Sequence, residues 1–140
     1  MRWAGRPARM AWALLALGAA ACATTSAPSP PSAMTPDALL AAIYSGAAPV
    51  IVDVRTGWEY NRGHVPGAIN IPFYTLLVNQ DAIPRPPDRP VVVYCEHGPR
   101  AGVAKLALRM NGFTDVRYLD GHMSGWKERG LPIEMSTASP

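Results

Sequence analysis

Apolar residues gather into short runs divided by Gly, Pro and polar clusters, and the spacing within each run sets the element it predicts. Thr35-Pro36-Asp37 opens a helix, with Thr35 as N-cap, Pro36 in the first helical position and an acid in the first turn. Leu39, Leu40, Ile43 and Tyr44 give that helix one apolar face, and Ser45-Gly46 ends it. Pro49 to Val54 is a continuous β-branched run, the pattern of a buried parallel strand. Ala68 to Ile71, held between Gly67 and Pro72, predicts a second, weaker strand, and residues 73–80 predict one or two helical turns. The prolines between Ile83 and Pro90 make that stretch a loop.

Val91 to Tyr94 is the clearest strand. After a turn over Cys95 to Pro99, a helix is predicted from Arg100 to Met110, with Val103, Leu106, Ala107 and Met110 as its spaced apolar positions and Asn111-Gly112 as its stop. Val116 to Leu119 is a further strand, and a short last helix surrounds Trp126. Strands alternating with helices predict an α/β fold, a small parallel sheet flanked by helices on both faces. Ligands bind such sheets beyond the carboxyl ends of the strands, where Asp53, Cys95 and Asp120 fall.

The leading segment is of another kind. Arg2, Arg6 and Arg9 precede an uncharged run from Met10 to Ala21 that is short of the about 20 apolar residues of a membrane span. Residues 1–21 therefore predict a signal peptide. Cys22, set directly after small residues, resembles the lipidated cysteine of bacterial lipoprotein signals, which implies a lipid anchor to the cell-envelope membrane and a periplasmic address. Ala19 stands where that pattern prefers Leu, and ordinary cleavage after Ala21 or Ala23 is the alternative. Residues 22–34 predict a flexible linker, 35–135 the folded domain and 136–140 a disordered tail.

Charge follows the same division. The 140 residues carry 13 Lys+Arg and 10 Asp+Glu, a formal +3. Removing residues 1–21 removes three Arg and no acid, leaving 10 against 10, so no nucleic-acid partner is implied. Two cysteines exclude a disulfide scaffold and a four-cysteine zinc site, and three scattered His predict no metal centre.

The chemistry concentrates in Cys95-Glu96-His97-Gly98-Pro99-Arg100. A buried strand delivers Cys95 into a tight turn that opens into a helix, so backbone N–H groups form a nest of positive partial charge around the thiol. Such a nest favours the thiolate, which is the nucleophilic form, and also suits a terminal sulfur anion or an oxyanion. Gly98 gives the backbone its freedom to curve, and Arg100 adds a fixed positive charge near the mouth.

Three ordered blocks resemble a single-domain rhodanese, of the rhodanese-like sulfurtransferase family, over roughly Thr35 to Glu134. They are Val52-Asp53-Val54-Arg55 with Glu59 and Gly63 to Pro72, the Cys95 to Arg100 loop, and Gly112-Phe113 through Leu119-Asp120-Gly121 to Trp126. The resemblance implies that the Cys95 thiolate takes the outer sulfur of a donor such as thiosulfate. The resulting persulfide then passes it to a thiol or cyanide acceptor, with no metal or organic cofactor. Related phosphatases and arsenate reductases have a loop one residue longer, so the four residues between Cys95 and Arg100 favour sulfur. Two positions depart from many active members. Glu96 replaces a basic residue, and its charge would oppose an anionic donor; Ala101 replaces Ser or Thr. These departures support the alternative of a binding or sulfur-capture module without turnover.

Other polar residues have lesser expected roles. Asp53 and Arg55 are expected to brace the site as a fixed pair, His97 to be an exposed specificity residue and His64 a structural hydrogen-bonding residue. His122 stands where the family commonly has Gly, beside the pocket or capping the last helix; Trp58 and Trp126 are expected to be packing anchors.

Overall fold

The structure, a computed structural model, describes Met1 and residues 31–136. The leader with Cys22, and the tail from residue 137, lie outside the described residues. The elements in chain order are β1 (Ala33–Met34), α1 (Pro36–Tyr44), β2 (Val50–Asp53), α2 (Gly57–Asn61), β3 (Ile69–Asn70) and α3 (Leu76–Asn79). After a single 3₁₀ turn follow β4 (Val91–Tyr94), α4 (Pro99–Met110), β5 (Val116–Leu119) and α5 (His122–Glu128).

All five strands are parallel, in the order β1-β5-β4-β2-β3. The expected α/β architecture is thereby realised, with a packed cluster on each face of the sheet. Leu76 of α3 and Ala101, Ala104 and Leu108 of α4 pack on one face; Leu39 of α1 and Met123 and Trp126 of α5 pack on the other. From β2 the chain runs outward to β3, whereas from β4 it runs the other way to β5. The crevice between the carboxyl ends of β2 and β4 is therefore the topological switch point, the place where such sheets bind ligands.

The start of the domain needs correction. Residues 33 and 34 were expected in the flexible linker, but they form β1, paired with Tyr118 and Leu119 at the sheet edge. Tyr118 donates its N–H to the Ser32 carbonyl and Asp120 donates to Met34, so the edge of β5 recruits a segment with no strand pattern of its own.

The face of α4 also differs from its apolar spacing. Val103, Leu106 and Met110 are exposed, while Ala101, Ala104, Lys105 and Leu108 are buried. Alanines let the helix axis approach the sheet closely, and Leu108 fills the remaining gap. Lys105 sets its Nζ over the Tyr118 ring, 4.0 Å from the centroid, and donates it to the Ser32 carbonyl at 3.1 Å, which fixes the entry of β1.

Candidate active site

Strand β4, buried along its whole length, ends at Tyr94 and delivers Cys95, itself only 1% exposed. The next three residues turn sharply, Gly98 takes φ +123°, and Pro99 opens α4. At that φ an L side chain is strained, and a Cβ on Gly98 would also meet Nε2 of His122 at 3.1 Å. The turn is tied down from outside by α5. Met123 donates its N–H to the Cys95 carbonyl, and Ser124 donates both its N–H and its hydroxyl to the Glu96 carbonyl. With those carbonyls held by α5, the Gly98 N–H is turned onto Cys95 Sγ at 3.0 Å.

Arg100, in the first turn of α4, forks onto Glu59. Glu59, foremost among other influences, holds its guanidinium protonated beyond the ordinary range, with the neighbouring Cys95 adding to the effect. Glu59 is fixed by the capping box of α2: Thr56 Oγ1 accepts its N–H, and its carboxylate accepts the Thr56 N–H and hydroxyl. Hydrogen bonding by Arg100 leads the effects that pull the Glu59 carboxyl down to about 2.

Asp53 and Arg55, at the end of β2, form a buried ion pair with Nη2 to Oδ2 at 2.7 Å and Nε between the two carboxylate oxygens. Arg55 also donates to the Gly63 carbonyl at 2.8 Å and to Glu96 at 3.0 Å. Burial alone would lower the Arg55 pKa, but Asp53, Tyr94 and Glu96 together outweigh it and the net shift is upward. Lys127 of α5 holds the other Glu96 oxygen at 2.9 Å. Burial pushes the Glu96 carboxyl up, yet Lys127 and Arg55 together bring it below the usual range. Glu96 therefore does not face the thiol as a bare charge: it is bound between two cations.

The remaining expected residues scatter around this centre. His97 and Pro99 are exposed on the loop, and Asp120 is exposed beyond β5. His64 is buried, stacked on Tyr60, with Nδ1 2.9 Å from the Tyr60 carbonyl. His122 takes φ 53° and packs its ring against Gly98; its buried Nδ1 has no hydrogen-bond partner among the described residues. Burial leads the effects that lower its pKa. Ala101 is fully buried against the sheet, where a small residue suits the close approach of α4. Trp126 packs in the core and donates Nε1–H to the Pro132 carbonyl. Trp58 corrects an expectation: it is 68% exposed, because the short α2 turns its Glu59 side inward and its Trp58 side out.

The roles of Glu59 and Lys127 went unread in the sequence. Thr56-x-x-Glu59 carried a capping-box signal that places Glu59 in the first turn of a helix just after Arg55. Lys127 carried none, since its partner Glu96 lies 31 residues away. Among the described residues no cluster of His, Cys, Asp and Glu is arranged to hold a metal ion.

Residues 35–129 match the family model described as Rhodanese-like domain. A sulfurtransferase from Allochromatium vinosum is 36% identical over 84 residues, spanning 60% of this chain and 77% of that protein. The thiosulfate sulfurtransferase GlpE from Shewanella oneidensis is 41% identical over 80 residues, spanning 56% of this chain and 75% of its own length. Among solved structures, the Alr3790 protein from Anabaena sp. superposes with a TM-score of 0.67 at 30% identity, covering 74% of this chain and 83% of that one.

Proposed function

The chain belongs to the rhodanese-like domain family, and from that premise we propose that it is a sulfurtransferase that carries sulfane sulfur as a Cys95 persulfide. The observation that carries this reading is the Gly98 N–H placed 3.0 Å from Cys95 Sγ at the switch-point end of β4. The Cys95 thiolate attacks the outer sulfur of thiosulfate; that sulfur's bond to the sulfite group breaks, and sulfite leaves with the electron pair. The loop amide and Arg100 then stabilise the terminal sulfur anion of the persulfide. An acceptor thiolate attacks that terminal sulfur, forms its own persulfide and releases the Cys95 thiolate. Cyanide would accept the sulfur in the same way.

The loop length supports sulfur over phosphate or arsenate chemistry, with four residues between Cys95 and Arg100. A capture module without turnover remains the competing reading, favoured by Glu96 in place of a basic residue. The pairing of Glu96 with Arg55 and Lys127 counts for turnover, because it offsets the charge that an anionic donor would meet. Loading with thiosulfate followed by a thiol tests these together. Sulfur added to Cys95 and then released supports the enzyme; sulfur held against every acceptor supports capture. Phosphate release from an aryl phosphate, abolished in Cys95→Ser, would support a phosphatase instead.

The leader supports an exported protein anchored through lipid on Cys22, by the three Arg and the apolar run that precede it. Mass spectrometry of the N-terminus of natively produced protein tests this. A diacylated Cys22 is expected, and an unmodified chain beginning elsewhere overturns the anchor.

A further inference from the structure

Beside the Cys95 loop lies an open hollow of about 370 Å³. Trp58, Glu59 and Arg62 line it from α2 and its C-terminal end, together with Arg55, Glu96 and Lys127. It shares Glu96 with the Cys95 loop, the residue directly after the thiol, and Glu59 with the Arg100 fork. A two-atom cyanide or a five-atom thiosulfate fills only a small part of it, so it has room for an organic acceptor.

The charges around it are unequally committed. Arg55 is bound to Asp53 and Glu96, Lys127 to Glu96, and Arg100 to Glu59. Arg62 is exposed and, among the described residues, has no carboxylate partner; its guanidinium lies over the Trp58 ring, 4.5 Å from the centroid. A guanidinium stacked on an indole keeps its in-plane N–H donors available, and that edge is suited to a carboxylate. An indole left open beside a reaction site gives an apolar surface for the carbon chain of the same molecule.

We propose that Trp58 and Arg62 form the acceptor subsite, and that the acceptor is a small organic thiol bearing a carboxylate. The carboxylate sits on Arg62, the carbon chain lies along Trp58, and the thiol sulfur is directed to the Cys95 persulfide. This rests on the sulfurtransferase reading and adds to it the class of acceptor and the residues that select it.

Three thiols of matched length test it: mercaptopropionate, mercaptoethanol and cysteamine, with negative, neutral and positive ends. Each is given to thiosulfate-loaded wild-type protein, Arg62→Gln and Arg62→Lys, and the ratio of variant to wild-type KM is compared across the series. Taking ratios removes the differing intrinsic reactivity of the thiols. In Arg62→Gln the KM for mercaptopropionate is expected to rise about tenfold, the scale of one charge-assisted hydrogen bond. Mercaptoethanol should be little changed and cysteamine improved, while Arg62→Lys should recover part of the preference. Equal ratios for the three thiols would overturn the subsite, as would discharge by a protein thiol and by none of these. If wild-type Cys95 fails to load at all, it is the sulfurtransferase reading that fails, and mass spectrometry of the loading step separates the two results.

Discussion

The Arg100 guanidinium forks onto the Glu59 carboxylate, Nη1 to Oε2 at 2.7 Å and Nη2 to Oε1 at 2.8 Å, and so ties the Cys95 loop to α2. A paired, two-pronged contact fixes orientation as well as charge. Arg100 is thus held in one orientation at the end of the Cys95 loop before any substrate arrives.

Glu59→Gln should break this fork, costing about 1–2 kcal/mol of stability and slowing Cys95 loading. The pH dependence gives a sharper check. The folded-state pKa of Glu59 is depressed from 4.5 to about 2, so its contribution is fully present above about pH 4.5 and is lost as pH falls towards 2. Urea unfolding of both proteins should show the difference between them shrinking through that window. A difference that stays constant would mean that the ion pair does not stabilise the fold.

Gly98→Ala carries two separable penalties, the φ of +123° and the approach of the new Cβ to His122 Nε2. The loss expected is about 1–3 kcal/mol, together with loss of Cys95 loading as the Gly98 N–H moves off Sγ. Adding His122→Ala removes the steric part and leaves the backbone strain. Thermal denaturation should therefore show partial recovery in the double variant, whereas complete recovery would mean that the backbone conformation costs nothing.

Lys127→Ala leaves Glu96 with Arg55 alone. If the two cations are what make Glu96 tolerable beside an anionic donor, the KM for thiosulfate should rise about threefold at low ionic strength. The effect should fade in high salt, since Lys127 is half-exposed. A KM that is unchanged at low salt would show that Glu96 has no electrostatic influence on the donor.

The elements that could be read from sequence are those whose burial is uniform. The runs at β2 and β4 are apolar on both faces and needed no knowledge of neighbours, and α1 announced itself through the Thr35 cap and Pro36. The face of α4 was misread because hydrophobic weight pointed to Val103, Leu106 and Met110, whereas the sheet selected residues small enough to approach it. β1 has no pattern at all; the free edge of β5 makes it a strand. At the site, Cys95, Gly98 and Arg100 were visible because they lie in one loop. Lys127 was not, because its role arises only where α5 passes behind that loop. The exposed Trp58 shows the same limit: a lone Trp in a polar stretch reads as an anchor until the facing of its short helix is known.

Intact-mass spectrometry of the protein after incubation with thiosulfate tests the central claim most directly. The wild-type chain should gain one sulfur atom, mapped to Cys95 and removed by a thiol, and Cys95→Ser should gain none. An unmodified Cys95 across a panel of sulfur donors, in protein shown to be folded, would contradict the account.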